Sequence, residues 1–136
     1  MRLTLRTDYA IRVMIFLARN LETGSTVKEL AALHSISHNH LVKIANDLCN
    51  SGLLIGKRGR GGGLWLAIAP EKITVGQIVG LMEADKELIA GCNPEYGKPC
   101  ILSEVCRLRH LNKRAVDAFM KVLHGTTLRD LAATNS

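Results

Sequence analysis

Residues 26–68 read TVKELAALHSISHNHLVKIANDLCNSGLLIGKRGRGGGLWLAI. Thr26 and Glu29 have the spacing of a capping box, in which hydroxyl and carboxylate satisfy free backbone N–H groups reciprocally. They open a helix with Leu30, Ala31 and Leu33 on its buried face, ending near His34. After a short break Ser37 can cap another helix to about Ser51, with Leu41, Ile44, Ala45 and Leu48 inward at helical spacing. Gly52 stands where a left-handed residue ends a helix. Two apolar runs, 53–55 and 64–68, then flank a basic glycine-rich tip at 57–63, the pattern of a β-hairpin with a long loop.

Working outward, residues 7–20 read as a helix with Ile11, Met14, Ile15 and Ala18 recurring at helical spacing and Thr7 as its cap. Residues 21–25 form a loop. Pro70 ends the hairpin, and Thr74 with Gln77 makes a second capping box for a helix to about Ala84, with Ile78, Val79, Leu81 and Met82 apolar. A loop at 85–102 carries cysteines, one long helix runs from about Ser103 to His124, and a helical turn near 128–132 closes the chain. The fold class is mainly α with a small β-hairpin: a winged helix-turn-helix (26–51, wing 53–68) plus a long C-terminal dimerisation helix (103–124), in a single domain over 1–136.

The charge fits that reading. The net charge is +6 with a pI near 9.4, and the excess sits in residues 1–70, with nine Lys/Arg against four Asp/Glu. A basic half of this kind favours an anionic partner, nucleic acid first. In a helix-turn-helix the second helix enters the major groove. Ser37, His38, Asn39, His40 and Lys43 on its exposed face, with Lys28 on the preceding helix, are the candidate contacts. An Asn suits adenine in particular. Lys57, Arg58 and Arg60 of the wing can grip phosphate or enter a minor groove. The glycine run is not a phosphate loop, because it lacks the Gly-Lys-Ser/Thr ending and leads into a strand.

No run of about 18 apolar residues exists, and the amino-terminal MRLTLRTDYA lacks a signal peptide's apolar stretch. The expected location is the cytoplasm, where disulfides are rare. Three of the four cysteines, Cys92, Cys100 and Cys106, crowd into GCNPEYGKPCILSEVC. They are hard to explain as core packing, and Cys106 falls near the first turn of the long helix, where the dipole favours a thiolate. Lys98, Arg107, Arg109 and His110 lie nearby in sequence to offset a negative cluster. Zinc usually takes closer cysteine pairs and four ligands; an iron–sulfur cluster with one unusual ligand also fits. Cys49, beside Leu48, reads as a buried packing residue.

MRLTLRTDYAIRVMIFLA at the start, RGRGGGLWLA in the wing, the ITVGQIV helix start and the three-cysteine segment before CRLRHL together resemble the Rrf-type winged-helix iron–sulfur regulators. The resemblance covers nearly the whole chain. It implies a homodimer that binds a palindromic operator and carries one cluster per subunit on Cys92, Cys100 and Cys106. The sequence is more similar to the nitric-oxide-sensing branch than to the branch that senses cluster supply. The latter places a His three residues after its last cysteine; here that position is Arg109, and His110 follows it. The seven-residue gap between Cys92 and Cys100 is longer than either branch leads one to expect.

The resemblance also implies a fourth ligand. Asp8, in the TDYA motif, matches a position of the nitric-oxide-sensing branch and would complete a 4Fe–4S cluster from its own or the partner subunit. His110 competes for the role, and Asp8 has an alternative one, supporting the first helical turn through the dipole. Leu108, Leu111, Ala115, Ala118, Phe119 and Val122 make an apolar stripe for a partner helix. The function implied is a repressor released by nitric oxide. The alternatives are a redox or cluster-supply sensor with a 2Fe–2S centre and a zinc-stabilised protein. An enzyme is disfavoured, since no base–nucleophile pair or substrate motif is present.

Overall fold

The structure is a computed structural model and describes residues 2–86, 88–89, 92, 95, 100–102 and 105–134. Helix α1 spans Leu5–Arg19, α2 Val27–His34 and α3 His38–Asn50; strands β1, Leu54–Lys57, and β2, Gly63–Leu66, follow. A 3-10 turn at Pro70–Lys72 leads to α4, Val75–Met82, then α5, Arg107–His124, and α6, Leu128–Ala132.

The local signals hold where they rest on neighbouring residues. Both expected capping boxes form, Thr26 with Glu29 and Thr74 with Gln77, and Ser37 caps α3 by accepting from the His40 N–H at 3.1 Å. Ser51 closes α3, and Gly52 takes a φ of +81°. The hairpin pairs antiparallel from Leu54 opposite Leu66 to Lys57 opposite Gly63. A third box, Thr127 with Asp130, opens α6.

Four expectations need correction. Helix α1 begins before Thr7 and is capped by Thr4; Thr7 is instead fully buried with its hydroxyl donated to Glu83. Leu33 is 58% exposed, because α2 is only two turns long and buries Leu30 and Ala31, while Ile36, just past its end, fills the core. Helix α4 stops at Met82, with Glu83 as its C-cap, so Ala84 lies beyond it. The long helix starts at Arg107 with Cys106 as the N-cap rather than in the first turn; Ser103, expected to open it, lies outside the described residues.

The core is aliphatic. Val13, Met14 and Leu17 of α1 meet Leu30, Leu41, Ile44 and Leu48 of the helix pair, and Ile73, Ile78 and Leu128 complete it. Each such side chain contributes on the order of 1.5–3 kcal/mol through burial. α1 packs on α3, α4, α6 and β2, whereas α5 packs on α4. Of the 18 residues in α5 only Asn112 is buried, and Leu108, Leu111, Phe119 and Val122 are exposed at 37% to 72%. Burial on one side only leaves that apolar stripe without cover in the single chain. Among the described residues no helix is long and apolar enough to cross a membrane.

Candidate functional site

Helices α2 and α3 meet through residues 35–37. Ser35 adopts the left-handed conformation at φ 55°, and its N–H closes α2 onto Ala31 and Ala32. The turn aims the start of α3 outward: Ser37, His38, Asn39 and Lys43 are exposed there, as is Lys28 on α2. His40 differs. It is half-buried, with its ring edge-on to Tyr9 at 5.4 Å, so it is held by α1 rather than fully displayed. Arg6 of α1 forms an ion pair with Asp47. Asp47 is the one acidic residue of α3, so this pairing neutralises the only negative charge on that helix.

The wing is fastened at its base. Ser25 and Leu64 exchange backbone hydrogen bonds of 3.1 and 2.7 Å, so the segment before α2 runs beside β2 as a short third partner. Sequence reading leaves Ser25 in a loop; the small residues Gly24 and Gly63 are the signal for this close approach. A Cβ on Gly24, which has a φ of +59°, would collide with the Trp65 indole and the Leu64 carbonyl. Lys57 Nζ lies 5.0 Å from the centre of the Trp65 ring, a cation–π placement that keeps it on the strand. Arg58 and Arg60 stand exposed at the tip.

A second group of residues flanks α5. Cys106 Sγ accepts from the Arg109 N–H at 3.4 Å, and Cys100 Sγ accepts from the Leu102 N–H at 3.5 Å. Backbone donors of this kind suit a thiolate. Cys92, Cys100, Cys106 and Cys49 are all free thiols. The three clustered ones are accessible, Cys100 exposed and the other two half-buried. Cys49 is half-buried rather than buried, and burial pushes its thiol pKa up. A cleft of about 510 Å³ beside Cys106 is lined by Lys86, Arg109, His110, Lys113 and Asp117. Lys113 is paired with Asp117 at 2.7 Å, so Lys86 and Arg109 are the cations that would offset the charge of a thiolate-bound centre, and the donor set of soft thiolates suits iron–sulfur chemistry.

His110 therefore shares a cleft with Cys106. Asp8 does not line it; it is in the first turn of α1, half-exposed and paired with Arg12 at 3.0 Å. Among the described residues no three His, Cys, Asp or Glu side chains stand close enough to hold a metal ion. The structure thus places two cysteines on backbone donors but does not gather the expected ligand set within one chain. Lys98 lies outside the described residues.

A capped helix-turn-helix with a basic hairpin docked behind it defines a winged-helix transcriptional regulator. Residues 3–134 match the family model for Rrf2, described as an iron-dependent transcriptional regulator; the chain belongs to that family. It is 41% identical over 132 residues to the HTH-type transcriptional regulator NsrR of Bacillus subtilis, covering 96% of this chain and 90% of that one. It is 42% identical to the NsrR of Geobacillus kaustophilus, with 96% and 89% covered. Among solved structures, CymR, the global cysteine regulator of B. subtilis, superposes with a TM-score of 0.75 at 28% identity, covering 100% and 99% of the two chains. IscR of T. potens shares the fold at a TM-score of 0.73 and 22% identity, with 96% and 85% covered. These relatives are regulators, which speaks for regulation rather than catalysis here.

Proposed function

We propose that this protein is a nitric-oxide-sensitive repressor that binds operator DNA as a homodimer, with its affinity set by an iron–sulfur cluster on Cys92, Cys100 and Cys106. The observation that carries the reading is the position of Cys106. It caps α5 with its sulfur on a backbone N–H, and that helix presents the exposed apolar stripe suited to a second copy. A ligand at that cap ties the sensing segment to the dimer helix. The motifs shared with the nitric-oxide-sensing branch and the 41% identity to NsrR support the signal. When bound, the cluster supplies iron open to nitric oxide.

The protein's own residues do the rest. α3 reads the major groove with Ser37, His38, Asn39 and Lys43, while His40, held edge-on by Tyr9, braces the helix; Lys28 and the wing cations Lys57, Arg58 and Arg60 hold phosphate, and dimerisation sets the two reading heads about 34 Å apart. A change in that spacing costing about 3 kcal/mol weakens binding roughly a hundredfold. Asp8, from its own or the partner subunit, is the preferred fourth ligand. Its pair with Arg12 is an exposed i,i+4 pair, worth about 0.3–0.5 kcal/mol, so the carboxylate is released at little cost.

Anaerobic purification followed by absorption spectroscopy, native mass measurement and operator binding, before and after nitric oxide, tests this reading. A 4Fe–4S mass and a loss of operator affinity on nitric oxide are expected; an affinity indifferent to nitric oxide in loaded protein refutes it. Asp8→Ala should alter the cluster spectrum, and an unchanged spectrum removes Asp8 as a ligand. A second reading, a 2Fe–2S redox or cluster-supply sensor, is favoured by His110 sharing the cleft with Cys106. Iron and sulfide counts from the native mass separate the two.

A further inference from the structure

Glu83 is the last residue of the α4 cap and lies at the entry to the cysteine segment. One of its carboxylate oxygens, Oε1, accepts from the Thr4 N–H at 2.7 Å, the Thr4 hydroxyl at 2.9 Å and the Thr7 hydroxyl at 2.5 Å. Thr7 is fully buried, so loss of the carboxylate would leave its hydroxyl only the longer, 3.3 Å contact with the Thr4 hydroxyl. The same turn of α1 carries Arg6, which holds Asp47 of the recognition helix α3 and also lies close enough to Glu83 to stabilise its charge. Glu83 and Asp47 therefore both bear on one short stretch of α1, residues 4–7. Further along the segment Leu88 N–H donates to the buried Asn112 of α5 at 3.1 Å, and α5 packs on α4, α4 on α1 and α1 on α3.

We propose that Glu83 is a positioning residue that carries the state of the cysteine segment to the recognition helix, through Thr4, Thr7 and the Arg6–Asp47 pair. A shift of the segment that draws on Glu83 must move or release the first turn of α1, and Arg6 passes that movement to α3. This deepens the proposed function and rests on it for the operator readout, though not for the linkage itself.

Amide hydrogen exchange on metal-free protein tests the linkage directly. Glu83→Gln keeps the shape but weakens the acceptor; faster exchange is expected in residues 4–9 and along α3, with α6 unchanged. A change confined to α1 and α4 overturns the proposal. Operator affinity then tests the consequence. Thr7→Val should shrink the ratio of affinities between iron-loaded and metal-free protein at least about fivefold, the low end of ordinary allosteric coupling, and Thr7→Ser, which keeps the hydroxyl, should restore it. Equal ratios in Thr7→Val and wild type overturn the proposal; if Thr7→Val does not fold, Glu83→Gln serves in the same measurement. A wild type whose operator affinity ignores iron loading refutes cluster control, while the exchange result still decides the linkage.

Discussion

Removing Arg58 and Arg60 together should change how operator binding depends on salt, not only how tight it is. Both lie exposed at the wing tip, and among the described residues neither has an ion pair. Each is thus free to neutralise one phosphate. A phosphate contact contributes about 0.9 to the slope of log affinity against log salt. Two lost per subunit flatten the slope by about 1.8 for a single chain and about 3.6 for a dimer with both wings down. Between about 50 and about 200 mM salt, the affinity gap between wild type and Arg58→Ala/Arg60→Ala should therefore close by about tenfold for one wing and about a hundredfold for two. Lys57 is left in place because its removal would also uncover the Trp65 ring it lies over. Fluorescence anisotropy with a labelled operator duplex at several salt concentrations gives both slopes. Parallel slopes would refute phosphate contact by the wing, and a difference near 1.8 would refute simultaneous docking of two wings.

Leu111→Glu and Val122→Glu place charges on an exposed stripe, at residues 57% and 72% accessible in the single chain. They should leave the subunit folded by circular dichroism and shift sedimentation to the monomer; a variant that stays dimeric removes α5 as the interface. Serine at Cys92, Cys100 or Cys106 should abolish iron loading as measured by absorption and elemental analysis, whereas Cys49→Ala should load normally. Glu83 gives a pH signature. Burial works against its charge, but hydrogen bonds from Thr7 and Thr4 and the nearby Arg6 prevail and hold its carboxyl below the usual value of 4.5. A carboxyl depressed in the folded state stabilises above its unfolded pKa and loses that contribution as pH falls through the folded value. Urea midpoints of wild type and Glu83→Gln should therefore differ most above about pH 5 and converge in acid; a constant offset across that range contradicts the charge-based account.

The contacts legible in the sequence share one property: they span three or four residues. Thr26 and Glu29, Thr74 and Gln77, and the Ser37 cap act within one helical turn, so spacing alone reveals them. The same rule misplaces the start of α1. Thr4 and Thr7 are both acceptable caps by type, and the choice is made by Glu83, 76 positions from Thr7. Leu33 fails for a related reason, since periodicity gives the apolar side of α2 but not how little of so short a helix the core can cover. The cysteines are legible as a group only because they are neighbours in sequence; the proposed fourth ligand, which need not be, is the part that sequence leaves open between Asp8 and His110.

That asymmetry has a physical cause with a functional consequence. Local hydrogen bonds place elements and are satisfied whatever the rest of the chain does, so they cannot report on it. The proposed signal from the cysteine segment to α3 needs bonds between elements: Glu83 to Thr4, 79 residues apart, and Arg6 to Asp47, 41 apart. Such bonds depend on the mutual placement of elements and break or persist with it. The parts proposed to read DNA are therefore the parts that can be read from sequence, because a helix-turn-helix is assembled from local rules. The parts proposed to make DNA reading conditional are non-local, and three-dimensional placement is what exposes them. By this argument, substitutions at Glu83, Thr7, Arg6 or Asp47 should alter regulation more than affinity, and substitutions at Asn39, Arg58 or Arg60 the reverse. A Glu83→Gln protein that lost operator affinity equally in its iron-loaded and metal-free forms would break that division.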